Sequence, residues 1–509
     1  MTTNIFDLLE RAAGIWPNKT AIADDKQAMT FKEWHTAALI IGTMIATETE
    51  SSIRKPVLVF TDRTIECLAG FMGVSASGNF YVPIDNKMPQ ERIQLICDTL
   101  NPIAAVTCTP KDKILAENLN LNIPLIDYSF ATLHPEIAKA DMLGKLRCQI
   151  IDLDPVYAIF TSGSTGVPKG VVVPHRGMLD LANWLVDTFN FSESDSLGNQ
   201  TPFYFDGSVK DIAICLKAGA TLNVIGRKYF SFPKLLIPFL NERRVTAILW
   251  ATSAIMLIGN SKILETTLPQ HLRLVTFAGE AMPAKQLNVW MDKLNGVTFA
   301  NLYGPTEISV DCTYYIVDRQ FNDDEYIPIG KNCRNKQVLL ITEEGLEAKD
   351  GEPGEICVRG SGVALGYYNN FEKSSEVFVQ NPLNPHYFDR IYKTGDIAKY
   401  NERGELMFLS RKDFQIKHKG NRIELGEIEV AINSIEGVTN AACIFDNVND
   451  KIILYYTTDD GEARDIVNGI KEKLPAYMFP DETILLAEMP YSMNAKIDRI
   501  ALKAKYEGK

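Results

Sequence analysis

Short apolar runs that alternate with amphipathic stretches are the dominant pattern along this chain. Runs rich in β-branched residues predict buried strands, among them VTAILWA (245–251), LRLVTFAG (272–279) and VTFANLYG (297–304). Apolar residues three and four apart predict helices over residues 4–16 and 31–48, and helical stretches lie between most of the strands. Strands and helices in this order predict an α/β fold whose parallel sheets are covered on both faces.

The pattern changes in the last third of the chain. QVLLIT (337–342) and GEICVRG (354–360) are strand patterns separated by short turns, which predicts a smaller antiparallel piece. After SRKDFQIK (410–417), helix and strand patterns alternate again and predict a small α+β unit of ordinary domain size. The predicted domains are therefore residues 1–411 and 412–509.

Composition and net charge argue against several classes of function. The chain has 509 residues and a net charge of −12, which argues against a main role in binding nucleic acid or an anionic membrane. Its nine cysteines form no CxxC pair, which is typical of a reduced cytoplasmic protein without a disulfide framework or zinc site. The N-terminus lacks a signal-peptide pattern, and no apolar run reaches the about 18 residues of a membrane helix. We therefore expect a cytoplasmic protein with neither a nucleic-acid nor a membrane partner.

Residues 161–170, TSGSTGVPKG, combine glycines, hydroxyl groups and a lysine between two apolar runs. Glycine lets backbone N–H groups approach phosphate oxygens, serine and threonine add donors, and Lys169 adds a positive charge. The loop lacks the GK[ST] ending of a P-loop, so a P-loop NTPase is disfavoured. Taken alone, the segment is also compatible with a Gly/Ser-rich surface loop.

Further short motifs accompany this loop along the chain. They are GNFYVPID (78–85), NLYGPTE (301–307), GVALGYY (362–368), YKTGD (392–396), SRKDFQIKHKGNRIELGEIE (410–429), LPAYMFP (474–480) and NAKIDR (494–499). With these motifs the chain resembles the ANL superfamily of adenylate-forming enzymes. Within that superfamily it is similar to the amino-acid-activating adenylation domains of nonribosomal peptide synthetases and to D-alanine–carrier-protein ligases. The resemblance extends from TFKEW (30–34) to NAKIDR.

The resemblance implies both a fold and a reaction. The implied fold has a large N-terminal domain of parallel α/β sheets with a small β-barrel-like subdomain, and a small mobile α+β C-terminal domain. In the implied reaction, a carboxylate attacks the α-phosphorus of ATP and gives an acyl-adenylate and pyrophosphate. A thiol then takes the acyl group and AMP leaves. ATP and Mg²⁺ are the implied cofactors.

The resemblance also implies a nucleotide site. The loop from Thr161 to Lys169 would embrace the β- and γ-phosphates, Tyr303 would stack on adenine, and Asp396 would accept the ribose hydroxyls. Glu307 would bind Mg²⁺ and Thr306 would contact phosphate, in keeping with the oxygen ligands that this ion prefers. The full implied set is Thr161, Ser162, Gly163, Ser164, Thr165, Gly166, Lys169, Gly279, Glu280, Asn301, Tyr303, Thr306, Glu307, Asp396 and Arg411.

Lys496 is the implied catalytic residue of the first step. A lysine beside the carboxylate oxygen and the α-phosphate neutralises the charge that develops there, whereas most lysines are simply solvated. The family usually has glycine before this lysine, and Ala495 replaces it without cost only if the backbone φ there is negative. Lys412 and Asp413 match the family's hinge, where rotation would exchange Lys496 for the 414–429 segment between the two steps.

Asp206, in FYFDGSVKD, matches the carboxylate that binds the substrate α-ammonium in amino-acid-activating members. An exposed turn aspartate is the alternative, because DG is a common turn pair. The rest of the implied pocket is Gly207, Lys210, Ser253, Thr276, Ala278, Leu302, Val310 and Asp311. Lys210 could bind a substrate carboxylate, pair with Asp311 or point out of the pocket. We therefore predict an α-amino acid substrate and leave its side chain and stereochemistry open.

The expected thiol acceptor is the phosphopantetheine arm of a separate carrier protein, because no carrier pattern follows Lys496. The basic KHKG (417–420) is a candidate docking patch for an acidic carrier, with a solvated strand end as the alternative. Two rival functions stay open. An acyl-CoA synthetase is disfavoured by Asp206. A non-catalytic protein that binds nucleotide or amino acid is disfavoured by the complete set of polar site residues.

Overall fold

The computed structural model describes residues 2–162, 167–322, 325–412, 415–490 and 497–508. Two units make up the chain: Met1–Asn86, Leu100–Ile159 and Gly170–Lys412 form the first, and Lys87–Thr99, Phe160–Lys169 and Asp413–Lys509 form the second. The second unit therefore includes two short segments from the first half of the chain. The division between residues 411 and 412 stays a prediction.

A large mixed sheet provides the framework of the first unit. In spatial order its strands are Lys331–Asn332, Thr313–Ile316, Thr298–Tyr303, Leu274–Ala278, Ala247–Ala251, Ser196–Asn199, Thr221–Val224, Thr20–Ala23 and Ala28–Thr30. The strands from Thr298–Tyr303 to Thr20–Ala23 are parallel, and antiparallel strands flank them at both edges. The α/β class predicted from the alternating pattern is confirmed.

Most strands of a second sheet are buried on both faces, as its uninterrupted apolar runs predict. Its strands in spatial order are Gly366–Tyr367, Lys169–Pro174, Pro155–Thr161, Phe80–Asp85, Pro56–Thr61, Ala104–Thr107 and Leu125–Asp127. Every residue of Pro56–Thr61 is buried. Because the strands Pro155–Thr161 and Lys169–Pro174 are neighbours, this sheet holds both ends of the Gly/Ser-rich loop.

A third sheet of the first unit is antiparallel throughout, as the turn-separated strand patterns predict. Its strands are Lys336–Ile341, Gly354–Gly360, Arg390–Tyr400, Phe378–Gln380 and Leu406–Arg411. The strand Arg390–Tyr400 pairs with three neighbours, so it fixes the position of the YKTGD motif within the sheet.

Helices cover the parallel sheets of the first unit. They are Phe6–Ile15, Phe31–Glu48, Glu66–Ala76, Pro110–Asn118, Tyr128–Leu133, Ala140–Arg147, His175–Phe189, Gly207–Ala218, Arg227–Ser231, Pro233–Glu242, Thr252–Asn260, Ala284–Lys293 and Phe371–Val377. The helix Phe31–Glu48, predicted from periodicity, begins at a capping box. The Thr30 side chain accepts a bond from the Glu33 backbone, and the Glu33 carboxylate accepts one from Thr30 N at 2.8 Å. No helix within the described ranges is long and apolar enough to cross a membrane.

The second unit is an α+β structure, as the C-terminal pattern predicts. Its strands are the hairpin Gln415–His418 and Asn421–Glu424 and the sheet Val438–Asp446, Lys451–Thr458 and Glu482–Leu485. Its helices are Gln90–Leu100 (apart from its last residue), Leu425–Asn433, Ile466–Ile470 and Arg499–Glu507. Helix Gln90–Leu100 is joined to Leu425–Asn433 by the buried ion pair of Arg92 with Glu427.

Asp211 is a buried carboxyl group on the helix Gly207–Ala218. Burial raises its pKa from 3.8 to about 7, because the charged form loses its hydration. Asn199 donates a hydrogen bond to one carboxylate oxygen at 2.8 Å, and the other oxygen accepts none from the described residues. Above its pKa the buried carboxylate is charged, and among the described residues it accepts one side-chain hydrogen bond, from Asn199, beside the more distant charge of Lys210.

We expect the pH dependence of stability to change in Asp211→Asn. The folded pKa lies above the unfolded value, so the native state binds more protons and stability falls as pH rises between the two values. The slope is at most about 1.4 kcal/mol per pH unit. We would measure the free energy of unfolding with urea at about pH 5 and about pH 8. The difference between the variant and the wild type should shift in favour of the variant at the higher pH. The exposed control Asp141→Asn should show no such gain, and an equal response of both variants would contradict the assignment.

Candidate functional site

The carboxyl ends of two neighbouring parallel strands bring several predicted pocket residues together. In the paired strands Leu274–Ala278 and Thr298–Tyr303, Ala278 lies opposite Leu302. Thr276 lies two residues earlier on the first strand and is fully buried, with a hydroxyl oxygen that has no hydrogen-bond partner among the described residues. Ligands in parallel sheets commonly bind at this edge.

Asp206 and Ser253 lie near the start of two helices of the first unit. Asp206 directly precedes Gly207–Ala218, is half-buried and makes no capping hydrogen bond to that helix. Burial mainly, with the negative charge of Asp206 among the further causes, raises the pKa of Tyr157. The Asp206 carboxylate is therefore within electrostatic reach of a buried ring. Ser253 is also half-buried.

Lys210 and Asp311 form a buried ion pair. The side chains are 3% and 2% exposed, and Lys210 Nζ lies 3.7 Å from Asp311 Oδ2. That separation is too long for a good hydrogen bond, and Asp311 Oδ2 accepts no hydrogen bond from the residues that the structure describes. Of the three alternatives for Lys210, the structure has the pairing with Asp311. The two opposite charges offset each other, but Asp311 Oδ2 can still accept a hydrogen bond.

Tyr303, Asp396 and Arg411 form one hydrogen-bonded cluster. The Tyr303 hydroxyl donates to Asp396 Oδ2, and the Arg411 guanidinium donates to Asp396 Oδ1. Asp396 and Arg411 are Cα partners on adjacent antiparallel strands, so the sheet register places them together. Burial, and then the charge of Asp396, raises the pKa of Tyr303 well above its usual range, so the phenol remains a donor. The roles of these residues toward adenine and ribose stay predictions.

Glu307 is a fully buried carboxylate in the short 3-10 helix Thr306–Ile308. The Tyr367 hydroxyl donates to its Oε1 at 2.8 Å, and the Glu307 carbonyl accepts from Ala364 N at 2.8 Å. Within the described ranges, no group of three His, Cys, Asp or Glu could hold a metal ion. A single anchored carboxylate nevertheless suits Mg²⁺ that arrives with a nucleotide, because phosphates and water supply its other oxygen ligands.

The turn after Glu307 has an unusual backbone. Ser309 and Val310 have φ values of +56° and +74°, in the left-handed region that β-branched residues rarely adopt. Such residues cost on the order of 1–3 kcal/mol each and persist where their surroundings hold them. A Cβ on Gly304 would lie 2.3 Å from the Val310 carbonyl oxygen, so only glycine allows this close approach. The strained turn carries two predicted pocket residues, Val310 and Asp311.

The predicted phosphate loop is described only at its ends. Gly163, Ser164, Thr165 and Gly166 lie outside the described residues, whereas Thr161 ends one strand and Lys169 begins the next. Ser162 Oγ donates to the Arg422 carbonyl and accepts from Glu424 N, both at 3.0 Å. Lys169 Nζ lies 3.3 Å from Glu424 Oε1. Lys169 is therefore paired with a carboxylate of the same unit, and its role toward phosphate stays a prediction.

Further predicted residues within the described ranges are Gly279, Asn301, Glu280 and Lys412. Gly279 has φ +99° with open space where a Cβ would lie, and Asn301 donates to the Pro328 carbonyl at 2.8 Å. Glu280 is half-buried, and its carbonyl accepts from the Thr252 hydroxyl. Lys412 Nζ lies 3.2 Å from Glu355 Oε2. Asp413, Ala495 and Lys496 lie outside the described residues, so their predicted roles stay predictions.

The basic segment KHKG (417–420) has acidic neighbours within the second unit. Lys419 Nζ lies 2.9 Å from Asp481, and the buried His418 lies 3.0 Å from Asp450 and 3.5 Å from Asp481. The charge of Lys419 is therefore matched locally, which favours the alternative of a solvated strand end over a docking patch, although the His418 side chain itself is buried.

Sequence reasoning missed three residues at this site: Tyr367, Ser309 and Lys336. Tyr367 belongs to the quoted motif GVALGYY, but nothing local indicates that its hydroxyl reaches Glu307. Lys336 precedes the apolar run QVLLIT and has the pattern of a solvated strand end, yet it is 6% exposed. A lysine at the first position of a buried strand was the available signal.

A family model and two known proteins match most of this chain. Residues 9–368 match the family model described as AMP-binding enzyme. Zwittermicin A synthase ZmaJ of Bacillus cereus is 30% identical over 99% of this chain and 95% of its own length. Tyrocidine synthase 1 of Brevibacillus parabrevis is 30% identical over 98% of this chain and 45% of its own length, so the chain spans less than half of that relative.

Two solved structures share the fold. PA1221 in its holo form, described as an NRPS protein containing adenylation and PCP domains, has a TM-score of 0.83 at 22% identity, over 99% of this chain and 84% of its own. IdnL1 has a TM-score of 0.82 at 23% identity, over 96% and 99%. Likeness at this identity shows the fold, and the fold implied by the motif resemblance is confirmed.

We expect Tyr367→Phe to destabilise the protein. The change removes the phenolic donor to Glu307, and a buried carboxylate that loses a donor costs about 1–3 kcal/mol. Urea unfolding without nucleotide measures the loss. Tyr368→Phe, at the half-buried neighbouring tyrosine, is the matched control and should cost less. Equal losses in the two variants would show that the contact with Glu307 contributes little.

Proposed function

We propose that this chain, which belongs to the AMP-binding enzyme family, joins an α-amino acid to AMP and passes it to the phosphopantetheine thiol of a carrier protein. Family membership makes the chain a ligase of the adenylate-forming kind. The observation that carries the proposal is the position of Tyr303. Tyr303 binds Asp396 and ends the strand that leads directly into Thr306 and Glu307. A candidate ribose-binding carboxylate and a candidate metal-binding carboxylate are therefore anchored to the same short segment.

The first proposed step brings two anions together. A substrate carboxylate oxygen forms a bond to the α-phosphorus, and the bond to the bridging oxygen of the β-phosphate breaks to release pyrophosphate. The repulsion must be offset by positive charge, which we assign to Lys169 and, from the sequence, to Lys496. Glu307 would hold Mg²⁺, which supplies further charge neutralisation to the triphosphate.

The second proposed step transfers the acyl group. The thiol sulfur forms a bond to the acyl carbon, the bond from that carbon to the AMP oxygen breaks, and the thiol proton leaves to solvent. We assign the hinge for this step to Lys412 and Asp413. Rotation there would remove Lys496 from the acyl-adenylate after its charge-neutralising role has ended.

Substrate recognition is assigned to Asp206 and to the pair Lys210–Asp311. A half-buried carboxylate is a suitable partner for an α-ammonium group, which supports an amino acid over a simple acid. An apolar substrate side chain would exclude water from the Lys210–Asp311 pair and offer it no hydrogen bond. A polar side chain would satisfy the Asp311 oxygen or the Lys210 ammonium group, so we propose a polar α-amino acid.

Exchange of labelled pyrophosphate into ATP tests the function. With a panel of L- and D-amino acids, exchange should depend on an amino acid and be strongest for one with a polar side chain. Exchange only with simple carboxylic acids would support an acyl-CoA synthetase instead. No exchange with any acid would support a non-catalytic binding protein.

We expect Lys210→Met to lower kcat/KM for the preferred amino acid by about 100-fold or more, because it leaves Asp311 buried without its cation. Lys217→Met, on the same helix and half-buried, is the control and should behave as the wild type. The unpaired Asp311 should also destabilise the single variant. The double variant Lys210→Met with Asp311→Leu leaves no unpaired buried charge, so it should regain that stability and prefer apolar amino acids. An unchanged preference in the double variant would contradict the assignment.

We expect Lys496→Ala to nearly abolish adenylate formation while thioester formation from a supplied aminoacyl-adenylate stays largely intact. The charge that Lys496 neutralises develops only in the first step. Single-turnover measurements of each half-reaction separate the two, with Lys505→Ala on the C-terminal helix Arg499–Glu507 as the control. An equal loss in both half-reactions would argue against the rotation of the C-terminal domain.

A further inference from the structure

The strained turn at Ser309 and Val310 needs something that holds it. Two consecutive residues have positive φ, neither is glycine, and all of Ser309, Val310 and Asp311 are buried. Its internal backbone bond runs from Asp311 N to the Ser309 carbonyl at 3.1 Å. Val310 and Asp311 can keep their orientation only if groups outside the turn fix its main chain.

Lys336 supplies such a group. Its Nζ donates to the Ser309 carbonyl at 3.1 Å and to the Asp311 carbonyl, so the two bonds lie on either side of Val310. Lys336 is 6% exposed, and no carboxylate in the described ranges lies within ion-pair distance of it. A buried ammonium group bound to main-chain carbonyls is rare, because lysine is seldom buried without a carboxylate partner.

Gly362 links Lys336 to the same turn from a second direction. The Ser309 hydroxyl donates to the Gly362 carbonyl at 2.8 Å. A Cβ on Gly362 would lie 2.3 Å from Lys336 Cε, so the lysine side chain passes directly over this glycine. The side chain therefore has a fixed path from the start of the strand Lys336–Ile341 to the turn.

We infer that Lys336 is a positioning residue of the substrate pocket, whose ammonium group fixes the main chain around Val310 and so sets the positions of Val310 and Asp311. The inference rests on the proposed amino-acid-activating function. In the proposed role, Lys336 does not contact substrate or nucleotide directly. It acts through the backbone of the two residues that line the pocket, and Asp311 carries the effect to Lys210.

Lys336→Met tests this inference, because methionine has a similar length and no donor. We expect KM for the preferred amino acid to rise about tenfold and KM for ATP to change less than about twofold. Discrimination against an amino acid one methylene longer or shorter should fall about tenfold, since pocket geometry sets that ratio. Lys349→Met, at an exposed lysine of the same unit, is the control and should match the wild type.

Lys336→Gln keeps a shorter donor and should give intermediate values, and it replaces the methionine variant if that variant does not fold. A purely structural role would lower the melting temperature of the variants and leave both KM values and the discrimination unchanged, which would overturn the inference. Equal increases in KM for ATP and for the amino acid would also overturn it.

Hydrogen exchange tests the role of Lys336 independently of the proposed function. If the wild type exchanges pyrophosphate with no amino acid, that function is wrong, and hydrogen exchange then decides the role of Lys336. Backbone amides of residues 309–312 should exchange at least about tenfold faster in Lys336→Met than in the wild type. Those of the strand Thr298–Tyr303 should not change. Unchanged exchange at residues 309–312 would overturn the inference.

Discussion

Burial of carboxylates beside hydrogen-bond donors or a cation is the constraint on which this site depends. Glu307, Asp311 and Asp396 are each at most 2% exposed, and an isolated carboxylate at such depth would be strongly destabilising. Each has a partner: Tyr367 for Glu307, Lys210 for Asp311, and both Tyr303 and Arg411 for Asp396. The partners hold the carboxylates in fixed orientations before any ligand arrives, and such preorganisation is what electrostatic catalysis requires.

These contacts also connect the three sheets of the first unit. Glu307 follows a strand of the mixed sheet, whereas Tyr367 lies on an edge strand of the second sheet. Tyr303 lies on the mixed sheet and Asp396 on the antiparallel one. Each hydrogen bond therefore contributes both to the candidate site and to the arrangement of two sheets. A change in one of these side chains should affect stability and ligand binding together.

The sequence predicts the strands and helices of the framework better than it predicts the contacts between site residues, and the reason is physical. Strands such as Leu274–Ala278 and the helix Phe31–Glu48 follow from periodicity, which is local information. The partners of the site residues are distant in the chain: Tyr367 is 60 positions from Glu307, and Glu424 is 255 positions from Lys169. Sequence motifs single out Glu307 and Lys169 as candidate site residues but do not indicate which side chains they contact.

The turn at Ser309 and Val310 shows why a local rule fails at this point. Propensity alone would favour glycine wherever φ is positive. A glycine at residue 310 would relieve backbone strain but would remove the side chain that is predicted to line the pocket. The chain instead has valine at this position and the donors of Lys336 and Ser309 around it. Backbone strain here is therefore coupled to pocket shape, and the residues that maintain the strain are as relevant to specificity as those that line the pocket.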